Sequence, residues 1–168
     1  MNRFLFAILC FLTFPVAASH IVGGEFEIIH LSGYLYRINL IIYFDEVHGL
    51  QANKDQDLFI NARIFRAADG GVMTDVRIPF VEIRDVNYTK SECAIGELRT
   101  SRMLYTTEMT MPPEVYNEPQ GYYIVWERCC RNYEIRNIFS EHPDLSPGNA
   151  AGQTFYLKFP PVIRDGRS

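Results

Sequence analysis

Two adjacent cysteines, Cys129 and Cys130, close the run Glu127-Arg128-Cys129-Cys130-Arg131-Asn132, and a third, Cys93, lies upstream. In an oxidising compartment such thiols pair into structural disulfides; in a reducing one they serve metals or catalysis. Neighbouring residues of a strand point to opposite faces, so Cys129 and Cys130 cannot both face one core. A bond between the two would close a strained eight-membered ring. The expectation is a disulfide from Cys93 to one of the pair. The third thiol is then left over or bonds between chains.

Other residues able to do chemistry form no convergent set. Ile21-Val22-Gly23-Gly24 matches the activated start of chymotrypsin-like proteases, but the chain has no Asp-Ser pair to supply their nucleophile segment and is too short for two barrels. Those glycines read as a strand opening with a close backbone approach. Were His20 the first residue of the mature protein, its amine and ring would suit copper, as in oxidative polysaccharide-cleaving enzymes. His30, His48 and His142 would then be the sources of a second ring. Asp45-Glu46 and Glu25/Glu27 are pairs of hard oxygen ligands, yet no EF-hand loop accompanies them. Glycoside hydrolysis also needs carboxylates facing across a groove, which spacing alone does not establish. No phosphate-binding loop, Cys-x-x-Cys or His-Glu-x-x-His pattern occurs. Asn87-Tyr88-Thr89 is formally a glycosylation acceptor. Arg128, Arg131 and Arg136 interleave with Glu127, Glu134 and Glu141, the pattern of a charge-balanced edge. The residues therefore predict a non-catalytic chain with no cofactor and no metal.

Period-two alternation supplies the elements that position these residues. Tyr34, Tyr36, Ile38, Leu40, Ile42 and Phe44 share one face, with Arg37 and Asn39 on the other. Leu58 to Ile64, Tyr122 to Trp126 and Phe155 to Phe159 repeat the pattern. Ile21 to Leu31, Val76 to Arg84 and Leu104 to Met111 follow it more loosely. Between these runs lie Ser32-Gly33, Asp69-Gly70-Gly71, Pro112-Pro113, Pro119-Gln120-Gly121 and Pro147-Gly148, all turn chemistry. About seven short strands with no long helical period predict an all-β antiparallel sandwich. A turn or two of helix near Ser91 to Arg99 is the sole helical expectation. The segments Val47 to Asp57 and Pro112 to Gln120 are the loops expected to meet a partner.

The first 18 residues read as a signal peptide. Arg3 opens them, Phe4 to Phe14 is apolar apart from Thr13, and Val16-Ala17-Ala18 offers a cleavage site. That run is far short of the roughly 20 residues needed to span a bilayer. Cys10 leaves with it. Residues 19–160 then form the β domain and 161–168 a C-terminal linker or tail, where Pro160-Pro161 cannot continue a ladder. The net charge of −4 argues against nucleic acid, whose binding rewards basic surfaces, and no membrane span is expected in the mature chain.

Ser19-His20-Ile21-Val22-Gly23-Gly24-Glu25, Tyr36-Arg37-Ile38-Asn39-Leu40 with Tyr43-Phe44-Asp45, and above all Gly121-Tyr122-Tyr123-Ile124-Val125-Trp126-Glu127-Arg128-Cys129-Cys130-Arg131-Asn132 with Ile135 and Asn137-Ile138 carry a family resemblance. The chain resembles the N-terminal immunoglobulin- or PKD-like domain of large secreted, gliding-motility-associated bacterial surface proteins. Leu98-Arg99-Thr100 stands where that pattern has a further cysteine. The resemblance implies an immunoglobulin-like sandwich, type IX secretion, a secreted or cell-surface location, and an adhesion module. Its partners would be surface glycans or other cell-surface proteins. A structural subunit of a surface filament is the other non-enzymatic reading.

Overall fold

Each alternating run becomes a strand in the computed structural model, which describes residues 21–47, 49, 57–87, 99–128 and 153–162. The strands are β1 (Ile21–Ser32), β2 (Leu35–Asp45), β3 (Phe59–Arg66), β4 (Val72–Asp85), β5 (Thr100–Thr110), β6 (Tyr122–Arg128) and β7 (Gln153–Phe159). They make one antiparallel sheet in the order β1-β2-β5-β4-β3-β6-β7. The expected helical turn near Ser91, the leader and all four cysteines lie outside the described residues.

The strands do not separate into two independent layers, because β4 belongs to both halves. Its Val72–Pro79 stretch pairs with β3, and Phe80–Asp85 pairs with β5 across a register break between Phe80 and Glu82. A bulge bends a strand and increases its twist, so the sheet turns a corner there. The two edge strands consequently meet: at Gly24 an added Cβ would lie 2.5 Å from the Phe155 ring. The sheet is thereby curled almost into a barrel.

Inside sit Ile38, Leu40, Ile42 and Phe44 of β2, Ile60 and Ile64 of β3, Ile78 of β4, Tyr105 of β5, and Tyr122 and Ile124 of β6. Burying each large apolar side chain contributes about 1.5–3 kcal/mol, so this interior dominates the stability. Tyr34, grouped by periodicity with the inward set, is exposed at the turn. Asn39 and Ile41, on the opposite face, are buried. Asn39 sits in a polar rung, its Nδ2 donating to Glu27 Oε2 at 3.0 Å and its Oδ1 accepting from Thr106 Oγ1 at 2.8 Å. Register places these three residues side by side on β1, β2 and β5.

Strand direction sorts the connections by length. Residues 33–34, 67–71 and 111–121 all turn at one end of the sheet, whereas 46–58, 86–99 and 129–152 all lie in sequence between strand termini at the other. Tight turns hold the first end. Gly33, Gly70 and Gly121 adopt φ of 52°, 70° and 76°, a region open to glycine without steric cost. Asp69 Oδ1 accepts from the Gly71 N–H at 2.9 Å. Beyond β7, packing continues past Pro160: Val162 is buried, and its N–H donates to the Tyr116 carbonyl at 2.7 Å.

Candidate functional site

The β3–β6 ladder is short. It pairs Arg63 with Val125 and runs to Arg66 with Tyr122, yet β3 begins at Phe59 and β6 continues to Arg128. Along Phe59–Ala62 and Trp126–Arg128 the two strands part, although β3 stays paired with β4 throughout. The β3–β6 ladder does not extend into this stretch, and an opening lies between the strands there.

The opening is a cleft of about 850 Å³ lined by Phe59, Asn61, Arg63, Phe65, Asp75, Val125 and Glu127 from the outer face. Ile60 and Trp126, inward-pointing by alternation, form its floor, Ile60 as part of the core and Trp126 partly buried against it. Trp126 is held by stacking on Phe155, with ring centroids 5.3 Å apart. Phe59 is 40% exposed, and Arg77 of β4 lies 3.6 Å over its ring, a cation–π contact that holds the ring in place. From the far wall an aromatic row continues outward: Phe65 stacks on Tyr123 at 5.1 Å, and Tyr123 meets Tyr156 of β7 at 5.4 Å.

The ladder resumes at the Arg63–Val125 rung, and Phe65 lines the cleft beyond it. Toward the other end, Asp57 and Arg128 form an ion pair between the two diverging strands. Burial lowers the Arg128 pKa from its ordinary value, the signature of a desolvated cation. Inside, Asp75 accepts from Arg63 through both oxygens, at 2.5 and 3.2 Å. That guanidinium holds the Asp75 pKa below its ordinary value, so the carboxylate stays ionised and is a poor general acid. Glu127 accepts from Thr154 Oγ1 at 3.3 Å.

Of the residues weighed for chemistry from sequence, Glu127 and Arg128 fall at this cleft. Asp45 and Glu46 terminate β2 as hydrogen-bond acceptors, Asp45 Oδ1 from the Val47 N–H at 2.9 Å and Glu46 from the Ser101 hydroxyl. Glu25 is exposed, and Glu27 belongs to the polar rung. His30 Nε2 is bonded to the Gly33 carbonyl at 2.9 Å. Among the described residues no group of three or more His, Cys, Asp or Glu side chains is arranged around a common metal position. His20, His48, His142, Arg131, Arg136, Cys93, Cys129 and Cys130 lie outside them, as do Tyr88 and Thr89 of the glycosylation triplet. Asp57 closes the Val47 to Asp57 segment expected to meet a partner, whereas Phe59, Asn61 and Asp75 were not singled out, since they lie on two separate strands. The only local signal was an aromatic on the polar face of β3.

No protein-family model, no curated protein and no solved structure matches this chain.

Proposed function

We propose that this chain is a non-catalytic, secreted or cell-surface interaction module. It belongs, on this reading, with the N-terminal immunoglobulin-like domains of gliding-motility-associated surface proteins. The observation that carries it is the placing of a cleft at the end of the sheet where the three long connections attach to the strands. A rigid scaffold presenting connections and a concave surface at one end is the usual arrangement of a binding domain. The Arg63–Asp75 pair adds support, because a carboxylate locked to a guanidinium orients ligands rather than shuttling protons. An immunoglobulin-like sandwich is the finer description of the fold. Its support is the division of pairing at β4, with β1, β2 and β5 on one side and β3, β6 and β7 on the other.

The proposed staple runs from Cys93 to Cys129 or Cys130. β4 ends and β5 begins at the end of the sheet where β6 ends, with β3 lying between β4 and β6. A disulfide of this kind contributes about 2–4 kcal/mol. Intact mass of the exported protein, with and without reduction before alkylation, tests compartment and staple together. One disulfide, one free thiol and a start at Ser19 are expected. A start at His20 with retained copper overturns the reading in favour of an oxidative enzyme. Adhesion is tested separately by applying fluorescently labelled protein to intact bacterial cells, where saturable surface binding is expected. Failure to bind removes the adhesion role.

A further inference from the structure

We propose that the outer face of β6 and β7 is the contact through which two copies of this chain form a twofold dimer. Register builds that face from three rungs: Tyr123 beside Lys158, Val125 beside Tyr156, and Glu127 beside Thr154. These six side chains point away from the interior, because Tyr122, Ile124, Phe155 and Phe159 alternate with them and are buried. The middle of the face is apolar. Tyr156 is 55% exposed and lies beside Val125, while Phe65 of β3 adjoins Tyr123. Val72, paired with Phe65 and also exposed, carries the strip on to β4. A continuous apolar strip on an otherwise polar sheet face marks a contact surface.

Charge selects a second copy as the occupant. Lys158 and Glu127 are both exposed and stand at opposite ends of the face, one rung to either side of Tyr156. Glu127 accepts from Thr154 Oγ1, and among the described residues neither Glu127 nor Lys158 forms an ion pair. Two rungs, about 14 Å along the strands, keep them apart within one copy. A twofold axis through the Val125–Tyr156 rung exchanges the two ends of the face. Each copy's Lys158 then meets the other's Glu127, and the two ion pairs flank the apolar centre. The neighbouring Arg63 and Asp75 are already joined to each other, so they leave the face neutral. Ring geometry speaks against a sugar. Phe65 and Tyr123 stack at 5.1 Å and 14°, so their flat faces cover each other and their edges turn outward. Such edges interdigitate with a facing sheet, as in packed sheets generally. A contact of this symmetry closes at two copies.

Sedimentation velocity of the purified chain, from about 1 to about 200 μM, covers the range in which so small a contact associates. A reversible monomer–dimer equilibrium is expected. Lys158→Glu and Glu127→Lys each set like charges against each other at both ion pairs, and each should weaken association about tenfold. Combining them restores the pairing with its charges reversed, and association should return close to that of the parent. Tyr156→Asp, at the centre of the face, should leave only monomer. All four substituted chains should keep their melting temperatures near the parent's, since the positions are exposed. The proposal is overturned by a monomer at every concentration, by single reversals that associate as the parent does, or by a double reversal that fails to recover. A dimer joined through a thiol would ignore all of these substitutions, and that result overturns it too.

Discussion

The Tyr105 hydroxyl is fully buried and, alone among buried side-chain polar atoms of the described residues, makes no hydrogen bond. An unsatisfied buried donor costs about 1–3 kcal/mol, while the ring itself packs edge-on against Phe80 at 5.6 Å. Tyr105→Phe keeps the ring and removes the cost, and should raise stability by about 1 kcal/mol in urea titration. Burial also pushes the Tyr105 pKa up to about 12 from 10.0. The unfolded chain therefore loses this proton first, and Tyr105 favours the fold below pH 10. That contribution falls away as pH rises from about 10 to about 12; the alkaline loss should be smaller in the phenylalanine variant. At Asn39 the opposite holds: the amide is buried and satisfied on two sides. Asn39→Ala should destabilise by about 1–2 kcal/mol, read from the urea midpoint. Alternation placed Asn39 correctly on the face away from the main core. Its burial was not legible, because Glu27 and Thr106 reach it from strands 12 and 67 residues distant.

Among the elements, the turns and strand stretches were the readable part, since glycine placement and alternation act over a few residues. Gly33 and Gly121 look alike in sequence, each closing a turn signal (Ser32-Gly33 and Pro119-Gln120-Gly121), but differ in what surrounds them. At Gly33 an added Cβ meets nothing within 4 Å, whereas at Gly121 it would lie 2.4 Å from the Phe159 carbonyl oxygen. Gly33→Ala should cost only the left-handed conformation, about 1–2 kcal/mol. Gly121→Ala adds a backbone clash between β6 and the end of β7, and should lower the melting temperature well beyond that. Equal losses in the two variants would contradict the close approach at Gly121. The parting of β3 from β6 is of the same non-local kind. Both strands alternate regularly through the region where they separate, so neither announces the cleft.

For the molecule as a whole, the parity of the strands matters. Seven strands with every neighbour antiparallel leave β1 and β7 running the same way where the curled sheet meets itself. No ladder joins them among the described residues; the seam is held by side chains such as Phe155, which is buried against Gly24 and Trp126. Backbone amides of β1 and β7 that face the seam should exchange with deuterium before those of β2 and β5, which are paired on both sides. Phe155→Ala should destabilise by about 3–5 kcal/mol and also alter Trp126 emission, because one ring serves both the seam and the cleft floor. By itself, the sequence determined the all-β class, the seven strand positions and the turns, since hydrophobic period and glycine placement are local properties. Only the tertiary structure decided that the strands form one curled sheet with a bulge in β4. It alone brought Asp57, Asn61, Asp75 and Trp126 around one cleft, because strand order and the point where a ladder stops depend on contacts between distant segments.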